Sequence, residues 1–179
     1  MFRTARLLVA TAAALVGVVP TAHATNADVS DQRAPDAVIA AFDGGWIDLT
    51  KGWGEATACS SDGAATVCFR TEAEMDQTMN ASLRGPVPLA SCSSSLRLYR
   101  STGFAGGVLS LTTQNTYINL SAYGFDNDTS SYRVGACAAY FYDGANGSGS
   151  LYPGSTGAGA SASSMVSGWD NRISSVYIT

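Results

Sequence analysis

Asp126-Asn127-Asp128-Thr129-Ser130-Ser131 returns 44 positions later as Asp170-Asn171-Arg172-Ile173-Ser174-Ser175. Both segments read (Asp/Asn)-(Asp/Asn)-x-x-(Ser/Thr)-Ser. Each follows an aromatic residue, Phe125 or Trp169, and each precedes an alternating stretch, Tyr132-Arg133-Val134 or Val176-Tyr177-Ile178. Closely spaced side-chain oxygens on a tight loop suit a hard cation such as Ca2+, which takes oxygen ligands. Recurrence at a fixed spacing marks an internal repeat, so fold and site are to be read together.

The rest of residues 90–179 repeats in step. Leu96-Arg97-Leu98-Tyr99, a turn at Gly103-Phe104-Ala105-Gly106-Gly107 and Val108-Leu109-Ser110-Leu111 read as strand, hairpin and strand. Ala139-Tyr140-Phe141-Tyr142, a turn over 144–149 ending in Gly149, and Ser150-Leu151-Tyr152 repeat that order. Tyr99 and Tyr142 lie 43 apart, so each unit is about 40 residues of short strands, 92–135 and 136–179. Short strands, many turns and no helical period predict an all-β sandwich of two four-stranded units sharing a core.

Tyr99-Arg100-Ser101-Thr102-Gly103-Phe104-Ala105-Gly106 resembles the aromatic-x4-aromatic-x-Gly signature of a βγ-crystallin Greek key. The twin Asp-Asn-x-x-Ser-Ser segments resemble that family's paired Ca2+-binding motif. The likeness covers 92–179 and is greatest to secreted bacterial chains grouped with peptidase inhibitor family I36. It implies two reciprocal Ca2+ sites, each loop completed by the first hairpin of the other unit. One would use Asn127, Asp128 and Ser130 with groups near Asp143 and Gly144. The other would use Asn171, Arg172 and Ser174 with groups near Arg100 and Ser101. Asp126 and Asp170 open the two loops. The chain departs from the signature at Gly147, where the second unit lacks the inner aromatic that should fold over Tyr142.

Charge supports a cation site independently. Residues 90–179 hold four acidic side chains, and Asp126, Asp128 and Asp170 lie in the loops while Asp143 lies in a facing hairpin. With one or two carboxylates per site, affinity is expected at about 10⁻⁴ to 10⁻³ M or somewhat tighter. The plainer account is that Asp, Asn and Ser are ordinary turn residues; two segments at matched positions argue against it.

The first 24 residues have the form of a secretory signal. Arg3 and Arg6 precede a 13-residue apolar run, Leu7 to Val19, and Ala22-His23-Ala24 is a small-x-small cleavage site. A membrane-spanning helix needs about 20 apolar residues, so neither this run nor any later segment is expected to insert. Cleavage removes His23, the one histidine of the chain. The exported chain then lacks imidazole, which excludes a Ser-His-Asp triad, a Cys-His pair and His-liganded zinc. With the C-terminal carboxylates committed to the loops, no enzyme is expected.

Four cysteines in an exported chain read as two disulfides with three connectivities open. Cys59–Cys68 with Cys92–Cys137 keeps each bridge within one region of the chain, and no Cys-x2–4-Cys spacing suggests zinc. Residues 25–89 carry ten acidic and four basic side chains, whereas 90–179 carry four of each. With Gly85-Pro86-Val87-Pro88, this step sets a boundary between an acidic α+β lead-in and the β-domain. No basic stripe offers a nucleic-acid surface. In the lead-in, 36–42 is read as helical turns and Trp46-Ile47-Asp48-Leu49-Thr50 with Lys51-Gly52 and Trp53 as a hairpin. Thr71 and Glu74 form a capping box opening a helix to about Leu83. The expected function is a secreted Ca2+-binding protein, with a metallopeptidase as the partner the resemblance implies. A Ca2+-stabilised envelope domain and a toxin-like antimicrobial protein are the alternatives.

Overall fold

The computed structural model describes residues 37–82 and 95–179. The proposed signal, the Gly85–Pro88 boundary and Cys92 lie outside the described residues. The expected sandwich of two Greek-key units is present, and it is extended by strands from the lead-in.

The first unit comprises β5 (Leu96–Ser101), β6 (Ala105–Leu111), β7 (Tyr117–Asn119) and β8 (Ser131–Arg133). The second comprises β9 (Ala139–Tyr142), the short stretch at Leu151, β10 (Ser161–Ala162) and β11 (Ser175–Ile178). Each unit sends its third strand to the other unit's sheet. Thus β7 pairs with β11, and β10 pairs with β8. This exchange buries one core between the sheets, built on Leu98, Leu109, Phe125, Tyr132, Phe141, Ile173 and Val176.

The lead-in contributes β1 (Ile39–Phe42), β2 (Gly45–Asp48), β3 (Ala58–Ser61) and β4 (Thr66–Phe69). Strand β3 lies parallel to β6, giving one eight-stranded sheet in the order β10-β8-β5-β6-β3-β4-β1-β2. The second sheet is β7-β11-β9. Cys59 and Cys68 face each other in the β3–β4 register and form the expected disulfide. Cys137 is disulfide-bonded as well.

Two local expectations are corrected. Residues 39–42 form a strand, because Ile39 to Phe42 find partners in both β2 and β4 and pairing outweighs local helical preference. The hairpin turns at Asp43-Gly44, both at positive φ (50° and 77°), the backbone that an Asp-Gly two-residue turn favours. Trp46 therefore lies on β2, and Leu49–Lys51 is a 3₁₀ turn capped by Asp48, which accepts from Thr50 N at 3.0 Å.

The capping box opens helix α1 (Glu72–Ser82), with Glu74 N donating to Thr71 Oγ1 at 3.1 Å. Its Met75 covers the outer face of the large sheet against Ala58, Phe69, Tyr99 and Val108. Arg97 on β5 pairs with Glu72 and Asp76 of the helix. Tyr99 donates its hydroxyl to Glu72 at 2.8 Å; burial, then this contact, pushes its pKa up to about 12.

Candidate functional site

The two loops are held by matching sets of bonds. Ser131 pairs with Tyr99 in the β8–β5 ladder as Ser175 pairs with Tyr142 in the β11–β9 ladder. Ser130 N donates to Tyr99 O, and Ser174 N to Tyr142 O, both at 2.8 Å. The last serine ties each loop to its hairpin: Ser131 Oγ donates to Ser101 O at 2.6 Å and Ser175 Oγ to Gly144 O at 2.5 Å. In return it accepts from Phe104 N (3.1 Å) or Gly147 N (2.9 Å).

The loops also clasp each other. Asn127 N donates to Ile173 O at 2.9 Å, and Asn171 N to Thr129 O at 3.0 Å. Ser130 Oγ donates to Asn171 Oδ1 at 3.2 Å and Ser174 Oγ to Asn127 Oδ1 at 3.3 Å. Both asparagines sit at φ 53°, a left-handed conformation asparagine tolerates better than most residues. The second and fifth motif positions are thus spent on the junction between units. Position four is buried in both loops, as Thr129 and Ile173. The Thr129 hydroxyl has no partner among the described residues.

The direct hairpin contacts of the loops run within each unit. Each loop bonds to the hairpin of its own unit, and the two loops bond to each other across the units. Asp128 pairs with Arg100, and Asp143 pairs with Arg172 at 2.6 Å. Asp126 and Asp170 are exposed at the loop entrances, Asp126 accepting from Asn127 Nδ2 at 3.1 Å.

Both arginines rest in matching surroundings. Arg100 donates to Gly124 O at 3.0 Å and lies 4.7 Å over the Phe125 ring. Arg172 donates to Gly168 O at 3.4 Å and lies 4.9 Å over the Trp169 ring. Arg100 has a second ring against it, Trp53, also at 4.7 Å. Asp143 accepts from Ser150 N at 2.5 Å; this bond first, and Arg172 after it, hold its carboxyl below the usual range. Gly149 (φ 79°) makes that return possible, because a Cβ there would lie 2.1 Å from Asp143 Oδ1.

The structure also answers the missing aromatic of the second unit. Gly147 stands where the first unit has Phe104, five residues after the tyrosine in each case. The Tyr117 ring takes the vacant role and packs edge-on against Tyr142 at 5.9 Å, as Phe104 packs on Tyr99 at 5.7 Å. The glycine is what admits Tyr117: a Cβ on Gly147 would lie 2.1 Å from its ring. Nothing in the sequence around Gly147 signals this, since Tyr117 belongs to the other unit.

No known family's sequence profile matches the chain, and no curated protein matches it. Among solved structures it is similar to a βγ-crystallin of Ciona intestinalis, at 23% identity and a TM-score of 0.40 over 48% of this chain and 100% of that one. A βγ-crystallin domain from Flavobacterium johnsoniae gives 21% identity and a TM-score of 0.40 over 47% of this chain and 92% of that one. One from an archaeon gives 21% and 0.40 over 48% and 98%. Likenesses of this size leave function to the chemistry of the loops themselves.

That chemistry is oxygen-rich but sparing in charge. Among the described residues no three His, Cys, Asp or Glu side chains converge as a metal cluster. Each unit instead brings one arginine-paired carboxylate, Asp128 of the first loop or Asp143 of the second hairpin, beside amide, hydroxyl and peptide oxygens, with Asp126 and Asp170 exposed at the loop entrances. These are donors a hard cation accepts, and a guanidinium already lies against Asp128 and against Asp143.

Proposed function

We propose that this is a secreted, non-enzymatic protein of βγ-crystallin type whose twin loops bind Ca2+. The observation that supports this best is the reciprocal clasp of Asn127 with Ser174 and Asn171 with Ser130. An ion taken up by either loop would brace the joint between both units, and ligand binding to the folded state alone stabilises it by mass action. Of the described residues, none belongs to a helix long and apolar enough to cross a membrane. Isothermal calorimetry of the exported chain with Ca2+ tests the proposal. Heat from two weak events is expected, and no heat at millimolar Ca2+ would refute it.

Inhibition of an extracellular metallopeptidase is a second reading, which rests on the sequence resemblance to peptidase inhibitor family I36. One feature favours it. Strand β2 ends the eight-stranded sheet and carries Trp46, 75% exposed. A sheet edge of this kind can accept an extended segment of a partner. Full activity of a thermolysin-type peptidase at micromolar protein would remove this reading.

A further inference from the structure

The two ion pairs at the loops are the same pair with its charges exchanged. Arg100 and Asp143 directly follow the paired tyrosines, Tyr99 and Tyr142, and stand 43 residues apart. Asp128 and Arg172 are both the third residue of the motif, 44 apart. In the first unit the hairpin gives the cation and the loop the anion; in the second the loop gives the cation and the hairpin the anion. Yet both guanidinium groups reach the carbonyl of the glycine before the loop and the face of the next aromatic ring. A positive charge is therefore delivered to matching places by side chains from different elements. The shared feature is the place, with its carboxylate and glycine carbonyl, and the element supplying the charge differs.

We infer that Arg100 and Arg172 are tethered counter-ions that take the part of a divalent cation at the twin loops. This rests on reading those loops as cation-binding. Each arginine joins hairpin to loop without an external ion, and Ca2+ enters only by displacing a guanidinium from Asp128 or Asp143. Two features make displacement hard at the first loop. The Arg100 and Asp128 side chains are each 32% exposed, and Trp53 and Phe125 both face the guanidinium. Arg172 is 50% exposed and has one ring, so its guanidinium leaves more readily, although the Asp143 it uncovers is 11% exposed. Arg172 and Arg100 thereby set the affinity of Ca2+ uptake.

The test uses the whole exported chain and its Arg100→Gln and Arg172→Gln variants. Each is melted in EDTA, in millimolar Ca2+ and in millimolar Mg2+, and titrated with Ca2+ by calorimetry. Wild type should melt only modestly higher in Ca2+ than in EDTA or Mg2+, as weak binding to the folded state requires. Each variant should melt lower in EDTA, regain the loss in Ca2+, and bind Ca2+ at least about tenfold more tightly, since a competing positive charge is gone. Arg172→Asp, which pairs a second carboxylate with Asp143, should bind tightest. Should Arg100→Gln not fold, the more exposed Arg172 variants carry the test. If wild type binds Ca2+ and the variants bind no more tightly, the arginines are ordinary ion pairs and the inference fails while the loops remain cation sites. If no variant responds to Ca2+, the reading of the loops fails as well.

Discussion

Gly147 shows how one missing side chain redirects its neighbours. Its φ of 73° is a conformation that favours glycine, and its open face holds the Tyr117 ring. Gly147→Ala should cost more than the ~1 kcal/mol of the backbone effect alone, because the methyl also meets Tyr117. In a Tyr117→Ala background the steric part should vanish, and a double-mutant cycle by urea unfolding reads the difference. Equal losses in both backgrounds would rule out the contact. Thr129 gives the opposite sign. Its buried hydroxyl lacks a partner among the described residues, whereas Ile173 fills the matching place. Thr129→Val should therefore leave stability unchanged or raise it by about 1 kcal/mol, since it removes an unpaired polar atom. Asp62 carries a pH dependence. Its carboxylate accepts from Ala65 N at 2.8 Å and Ala64 N at 2.9 Å, in that order of effect, and its pKa is lowered. A lowered folded value means stability present above the unfolded pKa of about 3.9 and lost as pH falls through the folded value. Asp62→Asn, which keeps an acceptor oxygen but not the charge, should be less stable than wild type near neutral pH. That gap should close in acid.

Among the elements, those legible in the sequence carry their own chemistry. The twin loops are legible because oxygen-bearing side chains recur at a fixed spacing, and the helix because Thr71 and Glu74 mark its start. The exchanged charges are also written in the sequence, at Arg100, Asp128, Asp143 and Arg172, but their contacts depend on which hairpin each loop meets. The lead-in strands are not legible. Each has four residues, and their pairing is set by partners far along the chain, most of all β3 beside β6. Asp43-Gly44 is a turn signal that the flanking aromatics obscure. Trp53 shows how the lead-in reaches the site. Its Nε1–H donates to Tyr123 O at 2.8 Å, and its ring packs on Phe125 and Arg100. Trp53→Ala should cost about 3–5 kcal/mol, the range for removing a large buried aromatic. It should also free Arg100, so that the variant's melting temperature rises more with Ca2+ than that of wild type. A loss of stability indifferent to Ca2+ would separate Trp53 from the loop.

For the molecule as a whole, the lead-in and the Greek-key pair share one sheet and are joined by backbone hydrogen bonds. Strand β3 covers the edge of β6, with Val108 N donating to Thr57 O at 2.9 Å and Thr112 N to Ser61 O at 3.1 Å. Val38 N reaches Ala122 O at 3.0 Å, and a Cβ on Gly124 would lie 2.1 Å from Leu49 O, so the turn before the first loop is pressed against the lead-in. Removing residues 37–82 would expose the β6 edge, the Met75 face of the sheet and the Trp53 side of Arg100 together. An unpaired edge of this kind invites association with other chains. The chain is therefore expected to unfold in a single transition, with equal calorimetric and van't Hoff enthalpies. Cleaving the chain between α1 and β5 leaves the β3–β6 ladder intact, so the two pieces should stay together until that same transition. Two separate melts in the intact chain, with the Greek-key pair outlasting the lead-in, would show that the shared sheet does not couple them.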